Sequence, residues 1–226
     1  MGRILFVTGT DTGVGKTLVT ASLLYHLRKQ GIAALATKPF CSGSRDDVRL
    51  LQSIQRRTIS DDEANPFYFR EPVAPLVAAR KAGKEVTAEQ VLSAVRHVSS
   101  GCDRLIVEGA GGLLSPLGTN FSAIDLISAL QCDVCVVAAN RLGVINHTLL
   151  AVGALQNKGC RQIKVLLTQR KRSPDRSTRT NANVLTELLD RVPIINLPFL
   201  GPRASTAASI RRNYSKAAPA WDALLA

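Results

Sequence analysis

The sequence predicts a single α/β domain, 1–226, built as a doubly wound, mainly parallel sheet with helices on both faces. Three observations carry this. Short runs rich in β-branched and aliphatic residues alternate with segments of helical periodicity along most of the chain. The runs are apolar on both faces, as strands buried between two layers of helices must be. The chain has 226 residues, 46% of them hydrophobic, enough for a three-layer core, and no linker, repeat or low-complexity tract divides it.

The elements follow in order. Residues 3–8 form the first expected strand and run into a Gly-rich turn, after which 16–29 carry helical periodicity. A second strand, 33–38, is stopped by Pro39, and a helix follows at 46–55, near whose start Asp47 would by default serve the helix dipole. The stretch 59–85 is rich in proline and fits the alternation poorly, so it is expected to be a long excursion at the rim of the site. Helix 88–98 and the strands 104–108 and 133–139 resume the pattern. Helix 145–157, strand 163–168, helix 181–189 and strand 194–197 complete it. Ligands of such sheets bind beyond the carboxyl ends of the strands, so the residues that follow each strand are the informative ones.

Composition excludes several classes. Gly and Pro are not in excess over plentiful apolar residues, which rules out collagen-like and disordered chains. No apolar run approaches the roughly 18 residues a membrane helix needs. Residues 1–8 hold too short an apolar stretch for an export signal, so a cytoplasmic protein is expected. Five cysteines, odd in number and widely spread, do not suit a secreted disulfide framework. Cys132 and Cys135 have redox spacing but lie at an apolar run with no helix start directly after it, and are expected to be ordinary buried thiols.

The formal charge is +12, and its densest cluster is Arg170-Lys171-Arg172, with Arg176 and Arg179 close behind and Ser173-Pro174 breaking any helix. Such a cluster can be a nucleic-acid footprint. Only 4% of residues are aromatic, leaving little on which bases could stack. A solvated loop that helps attract polyphosphate is the expected reading, with no nucleic-acid or membrane partner.

After the first strand comes Gly9-Thr10-Asp11-Thr12-Gly13-Val14-Gly15-Lys16-Thr17, and then a helix. Gly13 and Gly15 let backbone N–H groups approach phosphate oxygens, the helix N-terminus adds its partial charge, Lys16 reaches the β and γ oxygens, and Thr17 can ligate Mg²⁺. This is a P-loop, and the expected fold is of the P-loop NTPase type. The strict pattern wants Gly where Thr10 stands, so the loop is one residue out of register, with Gly9 taking that role. Lys38, at the tip of the second strand, would face the same crevice. Taken alone it fits a solvated charge and a phosphoryl-transfer lysine equally. Glu108 ends an apolar strand before Gly109-Ala110-Gly111-Gly112, where a nucleotide enzyme holds Mg²⁺; a cap or salt bridge is the plainer alternative. Thr17, Asp47 and Glu108 together would form an oxygen-rich Mg²⁺ site completed by water and phosphate.

These segments, with Lys38-Pro39 and Ser42-Gly43, Asn65-Pro66, Glu71-Pro72 and Leu142-Gly143-Val144-Ile145-Asn146-His147, together resemble the dethiobiotin synthetase family. Their order and spacing span almost the whole chain. The resemblance implies an ATP- and Mg²⁺-dependent cyclo-ligase of biotin synthesis, usually a homodimer. It would close CO₂ between the two amines of 7,8-diaminononanoate through a carbamate and a carbamic-phosphoric anhydride, giving dethiobiotin, ADP and phosphate. It further implies that Gly13, Val14, Gly15, Lys16 and Thr17 cradle the phosphates, and that Thr17, Asp47 and Glu108 hold Mg²⁺. Lys38, with Lys16, would be catalytic. Glu108, Gly109, Ala110 and Gly111 would border the nucleotide, and Pro198, Phe199 and Leu200 the adenine. Ser42, Gly143 and Asn146 would contact the substrate, the last two from the partner subunit. Gln169 stands where the family commonly has an adenine-binding Asn.

The alternative is a partition or septum-site type ATPase. Such proteins typically carry an additional Lys early in the loop, where this chain has Thr12, and that reading leaves Lys38-Pro39 and Ser42-Gly43 unexplained. A nucleic-acid-dependent ATPase rests on charge alone. Neither a Ser-His-Asp triad nor a redox cofactor is needed for the ligase chemistry, and the dispersed His26, His97 and His147 are expected to be structural.

Overall fold

The protein's architecture, given by a computed structural model, is described for residues 2–172 and 176–226. Strand β1 (Arg3–Gly9) leads through the glycine loop into α1 (Lys16–Lys29), and β2 (Ala34–Thr37) follows. Past Pro39 come a short strand, β3 (Phe40–Ser42), and α2 (Asp46–Ile54). The proline-rich excursion holds one helical turn, α3 (Asp61–Ala64), a strand, β4 (Phe67–Phe69), that pairs in parallel with β3, and α4 (Pro75–Lys81). Helix α5 (Ala88–Ser100) returns the chain to the main sheet at β5 (Arg104–Glu108). A hairpin of β6 (Pro116–Gly118) and β7 (Phe121–Ser122), then α6 (Ala123–Leu130), precede β8 (Asp133–Ala139). The pattern continues with α7 (Val144–Asn157), β9 (Ile163–Thr168), α8 (Asn181–Leu188) and β10 (Ile194–Leu197), and then α9 (Ala207–Arg212) and α10 (Tyr214–Leu225).

The main sheet has the order β10-β9-β8-β1-β5-β2, and every neighbouring pair is parallel. All six strands expected from the sequence are in it. Alternate residues of each strand enter opposite cores. Phe6, Leu105, Val107, Val134 and Val136 face α5, α6 and α7, whereas Val7, Ile106, Cys135 and Val137 face α1 and α10. Burying both faces requires the near-continuous apolar runs seen in the sequence. The hairpin, α6, α9 and α10 were not among the expected elements. Trp221 of α10 is 1% exposed and packs among Leu23, Leu24 and Leu27 of the second core, so the C-terminal helix closes that face.

No helix among the described residues is long and apolar enough to cross a membrane. The five cysteines are free thiols, and burial pushes the Cys132 and Cys135 thiols up to about 12, which keeps them protonated at neutral pH. Arg176–Arg179 form one 3₁₀ turn, while the expected helix break at Ser173-Pro174 lies outside the described residues.

Candidate active site

The strand order builds the site. Strand β5 lies between β1 and β2, with Val7 opposite Glu108 on one side and Thr37 opposite Val107 on the other. One residue further along, Lys38 therefore emerges beside Glu108. Its ammonium donates to Glu108 Oε1 at 2.8 Å and also to the Asp47 carboxylate, brought over by the first turn of α2. On the β1 side, Thr17 Oγ1 in the first turn of α1 donates to the same Glu108 Oε1 at 2.7 Å. Residues distant in the chain thus meet on one fully buried carboxylate, Glu108 being 0% exposed.

The loop before α1 has the local geometry its glycines permit. Gly15 is the residue preceding the helix and has φ +109°, a backbone that side chains with a Cβ rarely adopt. At Gly9 a Cβ would come within 2.8 Å of Val14 Cγ2, so the buried Val14 side chain would have to shift. No side chain caps α1 and no acid occupies its first turn, which leaves the helix N-terminus suited to an anion. Lys16 folds back across the loop and donates to the carbonyls of Asp11 at 2.8 Å and Gly111 at 2.6 Å. Thr168, the last residue of β9, braces the loop by donating to the Val14 carbonyl at 2.7 Å.

The two lysines differ electrostatically. Burial lowers Lys16 to about 8, an effect that the negative charge of Glu108 only partly offsets and that Lys38 reinforces. Burial also works against a charged Lys38, but Glu108 and Asp47 outweigh it and hold this ammonium above the ordinary lysine value.

The donor set suits a hard divalent cation. Glu108 Oε2 is buried and has no hydrogen-bond partner among the described residues. An orphaned carboxylate oxygen beside a threonine hydroxyl and a second carboxylate is the kind of oxygen-only site that Mg²⁺ occupies together with water and phosphate.

Other expected site residues fall around this centre. Gln169, Pro198, Phe199 and Leu200 line one cleft of about 340 Å³ beside Gly15 and Leu18. The Gln169 carboxamide donates to the Lys171 carbonyl at 3.2 Å. Ser42 lies beyond Lys38, and its hydroxyl donates to the Val73 carbonyl at 2.7 Å. Gly143 and Asn146 are exposed at the start of α7 and make no hydrogen bond to the lysine–glutamate cluster. The same turn nevertheless borders a groove of about 440 Å³, where His147 and Ala151 face Thr10, Asp11 and Gly112.

Sequence reasoning missed three contacts. Thr168 could have been found as a residue ending a strand. Arg170, read as part of a solvated rim, in fact donates to the Gly13 carbonyl of the loop. Asn65 reads from the sequence only as a motif residue, yet its buried side chain holds the backbone at Lys38 and Pro39.

Comparisons with known proteins bear on the family and the fold. The profile of a family described as an AAA domain matches residues 3–199. The ATP-dependent dethiobiotin synthetase BioD of Bacillus subtilis strain 168 is 38% identical over 200 residues, covering 86% of each chain. The protein of that name from Anaeromyxobacter dehalogenans strain 2CP-1 is 38% identical over 212 residues, covering 92% of this chain and 95% of its own. Among solved structures, a ParA family ATPase from Chlorobium tepidum TLS has a TM-score of 0.61 at 16% identity, covering 100% of this chain and 95% of its own. The MinD cell division protein of Aquifex aeolicus reaches 0.60 at 18% identity, covering 99% and 94%. At such low identity these two show a shared fold and nothing more.

Proposed function

The chain belongs to the AAA domain family and is an ATP-dependent ligase of the dethiobiotin synthetase family, and from that membership we propose the reaction its site performs. The substrates are 7,8-diaminononanoate, CO₂ and ATP, and the products are dethiobiotin, ADP and phosphate. One amine adds to CO₂ to give a carbamate, a weak electrophile that the second amine cannot readily attack. Transfer of the γ-phosphoryl group to a carbamate oxygen releases ADP and creates a leaving group. The neighbouring amine then attacks the carbonyl carbon, the C–O bond to phosphate breaks, and the amine loses its proton as the ureido ring closes. Because that attack is intramolecular, correct positioning supplies much of the rate enhancement.

The protein's part is charge and geometry. Residues 13–17 receive the phosphates at the N-terminus of α1, and Lys16 exchanges its carbonyl partners for phosphate oxygens. Lys38 bears on the transferring group, where an ammonium stabilises charge that grows in the transition state. Thr17, Asp47 and Glu108 would hold Mg²⁺, which when bound neutralises the phosphate charge. Gln169, Pro198, Phe199 and Leu200 form the side of the nucleotide cleft where the base lies. Ser42 contacts the substrate, and Gly143 and Asn146 take its distant carboxylate from a partner subunit, so the site is completed in a homodimer. Three exposed leucines near that groove and loop, Leu114, Leu142 and Leu150, support a subunit contact there. The whole chain works as one domain in the cytoplasm.

The observation that carries this reading is the convergence of Lys38, Thr17 and Asp47 around Glu108 directly beside the phosphate loop. Incubation with diaminononanoate, bicarbonate, ATP and Mg²⁺ should yield the ureido product by mass, one ADP per ring closed. ATP hydrolysis with no ureido product would refute it.

A further inference from the structure

Lys38 stands where the sheet gives it no support. Strand β2 is an edge strand, its pairing with β5 ends at Thr37 opposite Val107, and Pro39 offers no N–H. The backbone there is held instead by the excursion that follows α2. Lys38 N donates to the Ala64 carbonyl at 2.8 Å, and Phe67 N donates to the Pro39 carbonyl at 3.0 Å. Between these two lies Asn65, only 1% exposed. Its Nδ2 donates to the carbonyls of Lys38 at 2.9 Å and Pro39 at 3.2 Å, clamping two consecutive peptide units. Both neighbours are acceptors, so the nitrogen end of the carboxamide must face them. The other end, Oδ1, is buried without a partner among the described residues. A buried carboxamide with its oxygen orphaned is costly, and what it achieves is the fixed course of the chain at Lys38.

We propose that Asn65 is a positioning residue for the ligase reaction, one that aims the Lys38 ammonium by clamping the Lys38-Pro39 backbone. This rests on the reading that Lys38 acts on the transferring phosphoryl group. A carboxylate at position 65 cannot do this, since it has no N–H for the two carbonyls. A serine keeps one donor but is too short to reach both. Misplacing a catalytic group by about 1 Å can cost on the order of 100-fold in rate. The phosphate loop stands on β1 and α1 and makes no hydrogen bond to Asn65, so ATP binding should barely notice the change.

The test compares Asn65→Asp with the wild type, and repeats the substitution in a Lys38→Met background. Folding of each variant is checked by its circular-dichroism melt above the assay temperature. Expected is a fall in kcat of ~10-fold or more, with KM for ATP within about threefold, and no further fall when Lys38 is already Met. Should Asn65→Asp melt below the assay temperature, Asn65→Ser replaces it in both backgrounds, with the same pattern expected. An unchanged kcat, or an equal loss in both backgrounds, would overturn the positioning role. A Lys38→Met enzyme with normal kcat would instead overturn the reading of Lys38 itself.

Discussion

Replacing Lys38 by Met removes one charge from a cluster that is balanced inside the protein, and the cost can be worked from its partners. Glu108 is fully buried, and without the ammonium its one remaining hydrogen-bond partner among the described residues is the Thr17 hydroxyl at 2.7 Å. Leaving a buried charge uncompensated costs about 3–5 kcal/mol. Glu108→Gln is milder, because Lys38 keeps Asp47, a carboxylate with 44% of its side chain exposed. That loss of one charged hydrogen bond costs about 1.5–3 kcal/mol. The double variant leaves no buried charge unpaired, since Asp47 is solvated, so it should be more stable than the sum of its parts by on the order of 2 kcal/mol. Urea denaturation of the four proteins at pH 7 measures this. At that pH the stabilisation by Lys38 is fully present, because its raised folded value means the contribution persists below 10.5 and is lost only as pH rises through that higher value. For a chain of this size Lys38→Met should lower Tm by roughly 6–15 °C. Both single variants should also lose about 100-fold or more in kcat. Additivity to within about 0.5 kcal/mol would show that the 2.8 Å contact carries no net coupling, and would refute the reasoning.

Three further outcomes follow from the same geometry. Lys16 titrates at about 8 in the folded protein against 10.5 when exposed, so between these values the unfolded chain holds more protons and stability should rise with pH, by up to about 3 kcal/mol, in the nucleotide-free protein. A Lys16→Met variant should lack the rise. Phosphate oxygens should draw the proton back, so calorimetry at pH 8–9 in buffers of different ionisation enthalpy should show ATP binding with uptake of up to one proton, and buffer-independent heats would contradict this. Gly15→Ala imposes a Cβ at φ +109° and places it 3.4 Å from Thr168 Cγ2. It should cost about 1–2 kcal/mol and weaken nucleotide binding at least tenfold; a normal affinity would mean that the loop adapts without loss.

The fold was legible because both faces of the sheet are covered. Each strand had to be apolar at successive positions, and all six stood out. What was hidden has specific causes. Helix α10 has a buried face of Ala217, Ala220, Trp221 and Leu224, spaced as a helix requires, but Pro219 within it interrupts the pattern. Helix α6 buries Ala123, Ile124, Leu126 and Ile127 along one face, but at eight residues it is too short for that period to stand out from a buried strand. The hairpin before it has strands of three and two residues, below the length at which alternation can be read.

The site was legible in its parts and illegible in its assembly. The phosphate loop is local, nine residues whose spacing between a strand and a helix points to phosphate, and the structure keeps them together at the end of β1. The pairing of Lys38 with Glu108 is not local. It depends on β5 inserting between β1 and β2, a strand order that no local pattern encodes, and on a register that puts Thr37 opposite Val107. The excursion was harder still. It adds only short pieces to the first core, Phe69 of β4 and Ala78 and Ala79 of α4, too short to show a period; its other work is to stand in for the neighbour that an edge strand lacks. Backbone carbonyls and one buried carboxamide perform that work, and main-chain acceptors leave no trace in a sequence. Asn65 before a proline reads as a turn residue until the free edge of β2 is known. The lysine on that edge is therefore placed by two kinds of information, a sheet order and a strap across its end, and the second becomes readable only after the first.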